Sequence, residues 1–345
     1  MLRAYRFESP EYIPVNFNVS LSCWNDYEPE KLEQLILDHP LLFPHYERGS
    51  IDFDDPPYAP WRRKDVRYVD SWGCVWKTDQ DGLTGTVIER PLDSWDDFAD
   101  FEPPDPENQN GWGEIDWEEM ERRAEKAREE RRPVRFSLRH GHLFMTLYYL
   151  RGYQNLTLDM HREEPRLTEL IEMIENFSAA LLDRFLELDP DIIGFPEDLG
   201  TQDNPLITPQ HFRKYIKPVY RRLMAKAKEA GALVHMHSDG YIMDLIDDIL
   251  ECGVDVINPQ DLVNGIDDLR ERVKGRAAID LDVDRQKVVT RGSSEEVREL
   301  IREEGEKLGD PRGGLSLTHG LYSTVPLENV AALMDAMEEY AFFYS

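Results

Sequence analysis

The sequence predicts an α/β fold and, within that class, a (β/α)8 barrel. Three observations carry the prediction. From residue 133 onward, short apolar runs alternate with helical stretches of roughly 10–20 residues, the rhythm of parallel strands joined by right-handed crossovers. Polar and ionisable residues collect where those runs end, as they do at the C-terminal face of a barrel. No Gly-x-Gly-x-x-Gly follows a strand and no Walker loop occurs, which argues against a nucleotide-binding sheet.

Ile13–Val19 alternates apolar and polar residues and is predicted as the first strand, with a helix over Pro29–Asp38 behind it. Residues 39–110 change character: they are rich in Pro, Asp, Trp and Tyr and weakly periodic. Within them Val66–Val69, Gly73–Trp76 and Gly85–Ile88 suit a small antiparallel sheet, so the segment is expected to be an inserted excursion serving as a lid or an interface. Glu102-Pro-Pro-Asp-Pro closes it rigidly. Asp116–Arg131 is a charged helix whose acids precede bases at i,i+4 spacing, a solvated face. Strands are then expected at Pro133–Leu138, Asp191–Phe195, Ala232–His237, Val254–Ile257, Arg276–Leu281 and Gly314–His319. An eighth is sought in Gln154–Leu158. Helices are expected at Phe144–Arg151, Pro165–Leu188, Pro209–Ala230, Tyr241–Cys252, Gly265–Val273, Ser294–Leu308 and Leu327–Tyr340. One barrel domain thus spans residues 1–345.

Composition narrows the function. With 69 acids against 40 Lys and Arg, the net charge of −29 repels phosphate backbones and disfavours nucleic-acid binding. Three cysteines without CxxC spacing make no disulfide framework and fit a reducing cytoplasm. No long apolar run predicts a membrane span, and the N-terminus lacks the apolar core of a signal peptide. A soluble, cytoplasmic protein is expected.

The chemistry centres on Ala232-Leu-Val-His-Met-His-Ser-Asp-Gly240. Side chains alternate along a strand, so His235 and His237 point the same way, where both imidazoles can meet one metal ion. Other strand ends supply Glu197 and Asp198, Asp239, Asn258, Asp280 with Asp282, and His319. Three imidazoles from His235, His237 and His319 would leave a fourth position open, the pattern of a catalytic zinc, with iron, nickel or cobalt as alternatives. Glu197 or Asp198 would be a fourth ligand or orient an imidazole. His140 and His142 share a strand face and form an alternative pair. The plain alternatives are hydrogen-bonded strand-end histidines and, for the two acids, charges at a helix N-terminus.

Several motifs together resemble the uroporphyrinogen decarboxylase superfamily. They are the run Ala230–Gly240 followed by Leu250–Pro259, Glu197–Gln202 with Pro205–Pro209, and Thr318-His-Gly320 with Val325–Val330. Asp70-Ser-Trp-Gly73 and Leu150–Leu156 extend the resemblance towards the N-terminus, in the right order. The resemblance implies a distorted (β/α)8 barrel. It also divides by chemistry. Uroporphyrinogen decarboxylases proper are metal-free and grip pyrroles with an arginine-rich N-terminal segment, and the strand Pro14–Leu21 contains no arginine. Corrinoid-dependent methyltransferases of the superfamily carry zinc on a His-x-Cys pair and a later Cys. His235 matches the family histidine, while His237 and His319 stand where the two cysteines would be.

Thiolates neutralise zinc and keep a bound sulfur nucleophilic, whereas three imidazoles leave a stronger Lewis acid suited equally to oxygen ligands. The resemblance therefore implies a zinc-dependent methyltransferase moving a methyl group between a corrinoid and a small thiol or other acceptor. Glu197, Asp198 and Asp239 would be its acid, base or supporting groups, and methylcobalamin would come from a corrinoid partner protein. The alternatives are a decarboxylase or lyase acting on a small or tetrapyrrole carboxylate, and a non-enzymatic corrinoid- or tetrapyrrole-binding protein. The aromatic-rich Pro44–Trp95 segment suits a homodimer interface as well as a lid.

Overall fold

The structure, a computed structural model, describes residues 1–53, 56–322 and 325–344, so residues 54–55 of the inserted segment fall outside it. The chain divides into two compact units. A terminal unit comprises Met1–Val66, Lys77–Thr86 and Pro259–Ser345, and a central unit comprises Arg67–Trp76 and Val87–Asn258. Neither coincides with the 39–110 segment.

In the central unit the strands Arg135–Ser137, Ile192–Asp198 and Leu233–Asp239 lie parallel and adjacent, in that order. Their helices sit between them in sequence, Phe144–Arg151 and Pro165–Leu186 before the second strand and Lys217–Glu229 before the third. The outward residues are continuous apolar core, as a sheet covered by helices requires: Phe136 stacks on Phe185, and Phe195, Val234 and Met236 are fully buried. Pro165 occupies the first turn of its helix, where its missing N–H costs nothing. Gly200 and Gly240, which follow two of the strands, cross so closely that a Cβ on Gly240 would lie 2.2 Å from the Gly200 carbonyl. The positive φ of Gly240 adds a second reason for glycine.

The terminal unit holds the parallel strands Val15–Val19, Leu315–Leu321 and Ala278–Asp282, adjacent in that order. Its helix Ser294–Leu308 starts in a reciprocal cap. The Ser293 hydroxyl accepts from the Glu296 N–H, and the Glu296 carboxylate accepts from the Ser293 N–H at 2.7 Å.

The strand–helix order expected from the sequence holds, and so does the small sheet of the inserted segment, formed by Tyr68–Val69, Val75–Lys77 and Thr86–Glu89. Three expectations need correction. The eighth strand sought in Gln154–Leu158 is the helix Tyr153–Arg162, because Leu156 and Met160, one turn apart, bury the same face. The predicted helix Tyr241–Cys252 shortens to Ile246–Leu250, since the crossing at Gly240 throws the next residues into turns. Pro209–Ala230 is interrupted by one wide turn at Phe212–Ile216. Among the described residues no helix is long and apolar enough to cross a membrane.

Candidate functional site

Alternation along the strands decides what reaches the site. In the register His235 lies beside Gly194, His237 beside Pro196 and Asp239 beside Asp198. His235, His237 and Asp239 therefore share a face with Asp198, while Glu197 and Ser238 point to the opposite face. Beyond Arg135–Ser137 the chain delivers His140, then turns at Gly141, whose positive φ of 79° suits glycine and whose N–H donates to the Pro196 carbonyl at 2.9 Å.

The result is a compact cluster. His140 Nε2 lies 3.3 Å from Asp198 Oδ1, and His237 Nε2 lies 3.9 Å from the same oxygen and 3.6 Å from Asp239 Oδ1. Among the described residues, His140, Asp198 and His237 are the one group of three or more His, Cys, Asp or Glu residues whose ligand atoms all lie within 4.8 Å of one another. His237 Nδ1 sits 2.7 Å from Asn258 Oδ1. An amide oxygen only accepts, so Nδ1 carries a proton, and on the neutral ring Nε2 offers a lone pair. That lone pair faces two carboxylates, whose charge a divalent cation, or a proton held by His140 or His237, would offset. Burial works against the His140 imidazolium, but its hydrogen bond to Asp198 and the charges of Asp198, Glu197 and Asp239 outweigh it and raise its pKa. For Asp198 burial acts upward, and the His140 hydrogen bond with the charges of His140 and His237 prevails, lowering its pKa.

Glu197, fully buried, has a different job. Its Oε1 accepts from the Leu143 and Phe144 N–H groups at 2.7 and 2.8 Å, and its Oε2 accepts from Met145 at 3.0 Å. It thus satisfies the otherwise orphaned donors that open Phe144–Arg151, where negative charge also suits the helix dipole. His142 lies behind the sheet with it, Nδ1 3.2 Å from the Pro196 carbonyl and its ring stacked on Tyr220. The pair His140 and His142 is therefore split: one enters the cluster and the other is interior.

Arg139, next to His140, is held by Asp70 of the inserted segment and by Gly111 and Trp112 just after it. Its guanidinium donates to Asp70 at 2.8 Å and to the Gly111 carbonyl at 2.6 Å, and stands 4.3 Å from the Trp112 ring centroid. Asp70 in turn accepts from the Trp72 and Cys74 N–H groups and from the Trp76 indole.

The metal set expected from the sequence shares only His237 with the cluster. His235 is buried, and Arg135 Nη2 donates to its Nδ1 at 3.1 Å, so its proton sits on Nε2 and the ring is neutral. His319 belongs to the terminal unit, with Nδ1 donating to the Val283 carbonyl at 3.2 Å, its ring against Phe17, and a buried Nε2 without a hydrogen-bond partner. Burial, aided by Arg285, pushes its pKa down to about 4 despite Val283 and Asp284. Sequence reasoning raised His140 only as half of another pair and missed Arg135. The signal for His140 was the glycine after it, which breaks the strand and separates two histidines that simple alternation would pair.

The uroporphyrinogen decarboxylase (URO-D) family model matches residues 73–340. The chain belongs to this family. No curated protein sequence matches it. Among solved structures, a methyltransferase from Methanosarcina mazei is similar over 100% of this chain and 98% of its own, at 16% identity and a TM-score of 0.64. A B12-independent methionine synthase from Shewanella sp. W3-18-1 in complex with selenomethionine aligns over 65% of this chain and 66% of its own, at 14% identity and a TM-score of 0.41. The fold class predicted from the sequence, α/β of the TIM-barrel-like URO-D type, is that of the first of these structures.

Proposed function

We propose that this URO-D family member is a zinc-dependent methyltransferase whose metal is held by His140, Asp198 and His237, with Asp239 beside them. The observation that carries the proposal is the convergence of His237 Nε2 on the carboxylates of Asp198 and Asp239, with His140 on the same Asp198 oxygen. Two imidazoles and a carboxylate are a donor set that zinc accepts, and other divalent transition metals accept it too. Bound there, zinc would supply Lewis acidity to an oxygen or sulfur of the methyl acceptor.

The chain's own groups do the rest. Asn258 fixes the His237 tautomer, the conserving role of an outer hydrogen bond on a ligating imidazole. Asp198 and Asp239 offset positive charge that three imidazoles would leave whole, which suits a thiol acceptor better than the all-histidine set does. Arg135 keeps His235 neutral on the same face, one step below. Glu197 and Arg139 position the His140 turn from behind and from the side. The methyl donor would be a corrinoid presented by a partner protein at the strand ends, in the cytoplasm.

The test follows the spectrum of methylcobalamin with a thiol and the protein. Demethylation that depends on His140 and His237 supports transfer. Carbon dioxide release from a carboxylate substrate, with no change at the corrinoid, would instead make the chain a carboxy-lyase.

A further inference from the structure

Among the described residues the strand Arg135–Ser137 pairs with a strand on one side only. Its register with Ile192–Gly194, the Leu138 N–H donating to Gly194 and the Val134 carbonyl accepting from Ile192 turn the even-numbered residues towards that neighbour. In a parallel ladder the backbone groups of Arg135 and Ser137 then point the other way. Among the described residues no strand bonds to that second edge.

A groove of about 700 Å³ runs along this edge, against the helix Trp117–Glu129. Met120, Ala124, Ala127, Phe136 and Phe185 contribute its apolar surface. Arg123, Lys126, Arg132 and Arg135 ring it, against Glu119 within the lining. Glu119 is already paired with Arg122, and Glu130 meets both Lys126 and Arg132. Among the described residues Arg123 has a Met120 sulfur contact and no ion pair, and Arg135 donates to His235. A cationic groove on a chain of net charge −29 marks a local departure from the surrounding surface.

We infer that this edge is a docking site for an extended, acidic polypeptide segment of a partner protein, which would add as a further strand. The open N–H and C=O groups of Arg135 and Ser137 supply main-chain pairing, the apolar surface takes alternate side chains, and the cations take the acids between them. A second copy of this chain docking through the same edge is disfavoured, because the two cationic rims would face each other. The competing explanation is that a three-residue strand carrying basic side chains is simply protected against aggregation.

A fluorescein-labelled peptide of about eight residues alternating Glu and Val, roughly one typical strand, tests this by anisotropy on the full chain. Saturable binding is expected, together with slower hydrogen exchange at the Arg135 and Ser137 amides. The double variant Arg123→Glu/Arg132→Glu, whose sites lie outside the histidine cluster, should bind about tenfold or more weakly while melting as the parent does. High salt should weaken binding in the parent. No saturable binding, equal binding of a neutral Thr–Val peptide, equal binding by the charge-reversed variant, or dimerisation abolished by the reversal would each overturn the inference.

Discussion

Glu197 and Asp198 carry the same functional group one residue apart, yet they do opposite things. The strand sends Asp198 to the face shared with His140 and His237, where its carboxylate stays partly exposed. It sends Glu197 to the covered face, where three backbone N–H groups consume both oxygens. The lesson is that in a strand buried on both sides, an acid's role follows from its parity before its chemistry. The same parity separates His235, His237 and Asp239 from Ser238, whose hydroxyl accepts from the Leu199 N–H behind the sheet at 2.9 Å.

The sharpest way to break this comparison is to truncate both acids. Glu197→Ala leaves three helix-opening donors buried and unpaired, and should cost about 4 kcal/mol or more in denaturant unfolding. Asp198→Ala should change stability by less than about 1 kcal/mol and abolish metal binding. Similar stability losses for the two would erase the distinction.

A smaller effect is expected at the Arg139 cradle. Arg139→Met strands the buried Asp70 charge and should cost about 3 kcal/mol, whereas the double variant Asp70→Asn/Arg139→Met should lose less than the sum of the two single changes. Strict additivity in that cycle would mean that the inserted segment does not grip the His140 turn through this pair. Next comes Asn258→Ala, which frees the His237 ring and should weaken metal affinity by about tenfold to a hundredfold with little change in unfolding.

The smallest effect concerns a buried acid pair in the terminal unit, Asp261 and Glu304, in which one carboxyl faces another. Burial pushes Asp261 up to about 6, against its hydrogen bonds from Glu304, Leu262 and Asp284 and with the charge of Asp284. Glu304 is raised well above its ordinary value, by burial first and then by the charge and hydrogen bond of Asp261, with Asp284 and Glu303 adding to it. A carboxyl whose folded pKa is raised contributes stability below its unfolded pKa and loses it as pH climbs through the folded value. Wild-type stability should therefore fall from about pH 4 through 6 and beyond, on this account. Glu304→Gln should melt a few degrees higher than the parent at pH 8, with the gap narrowing by pH 5. A gap that does not depend on pH would show that the pair does not share a proton.

Much of the architecture was legible in the residues. Pro165, Pro209 and the Ser293–Glu296 box mark helix starts, and the apolar runs mark strands, because both signals are local. Residues 154–158 misled because a five-residue stretch of alternating apolarity fits either period, and only the burial of Leu156 with Met160 selects the helix. The site was half legible. Parity along Leu233–Asp239 placed His237 and Asp239, and the strand end placed Asp198. It could not show that Gly141 would swing His140 over Asp198, or that Arg135 would claim His235 across 100 residues of chain, since both depend on register between strands.

The central claim is that the metal sits on His140, Asp198 and His237. Elemental analysis of the purified chain and of His140→Ala, His237→Ala and His235→Ala variants, each checked for parental folding, tests it most directly. The account predicts one divalent transition metal per chain, lost from the first two variants and retained in His235→Ala. Metal retained by His140→Ala and lost from His235→Ala, or a parent chain that binds none, would contradict it.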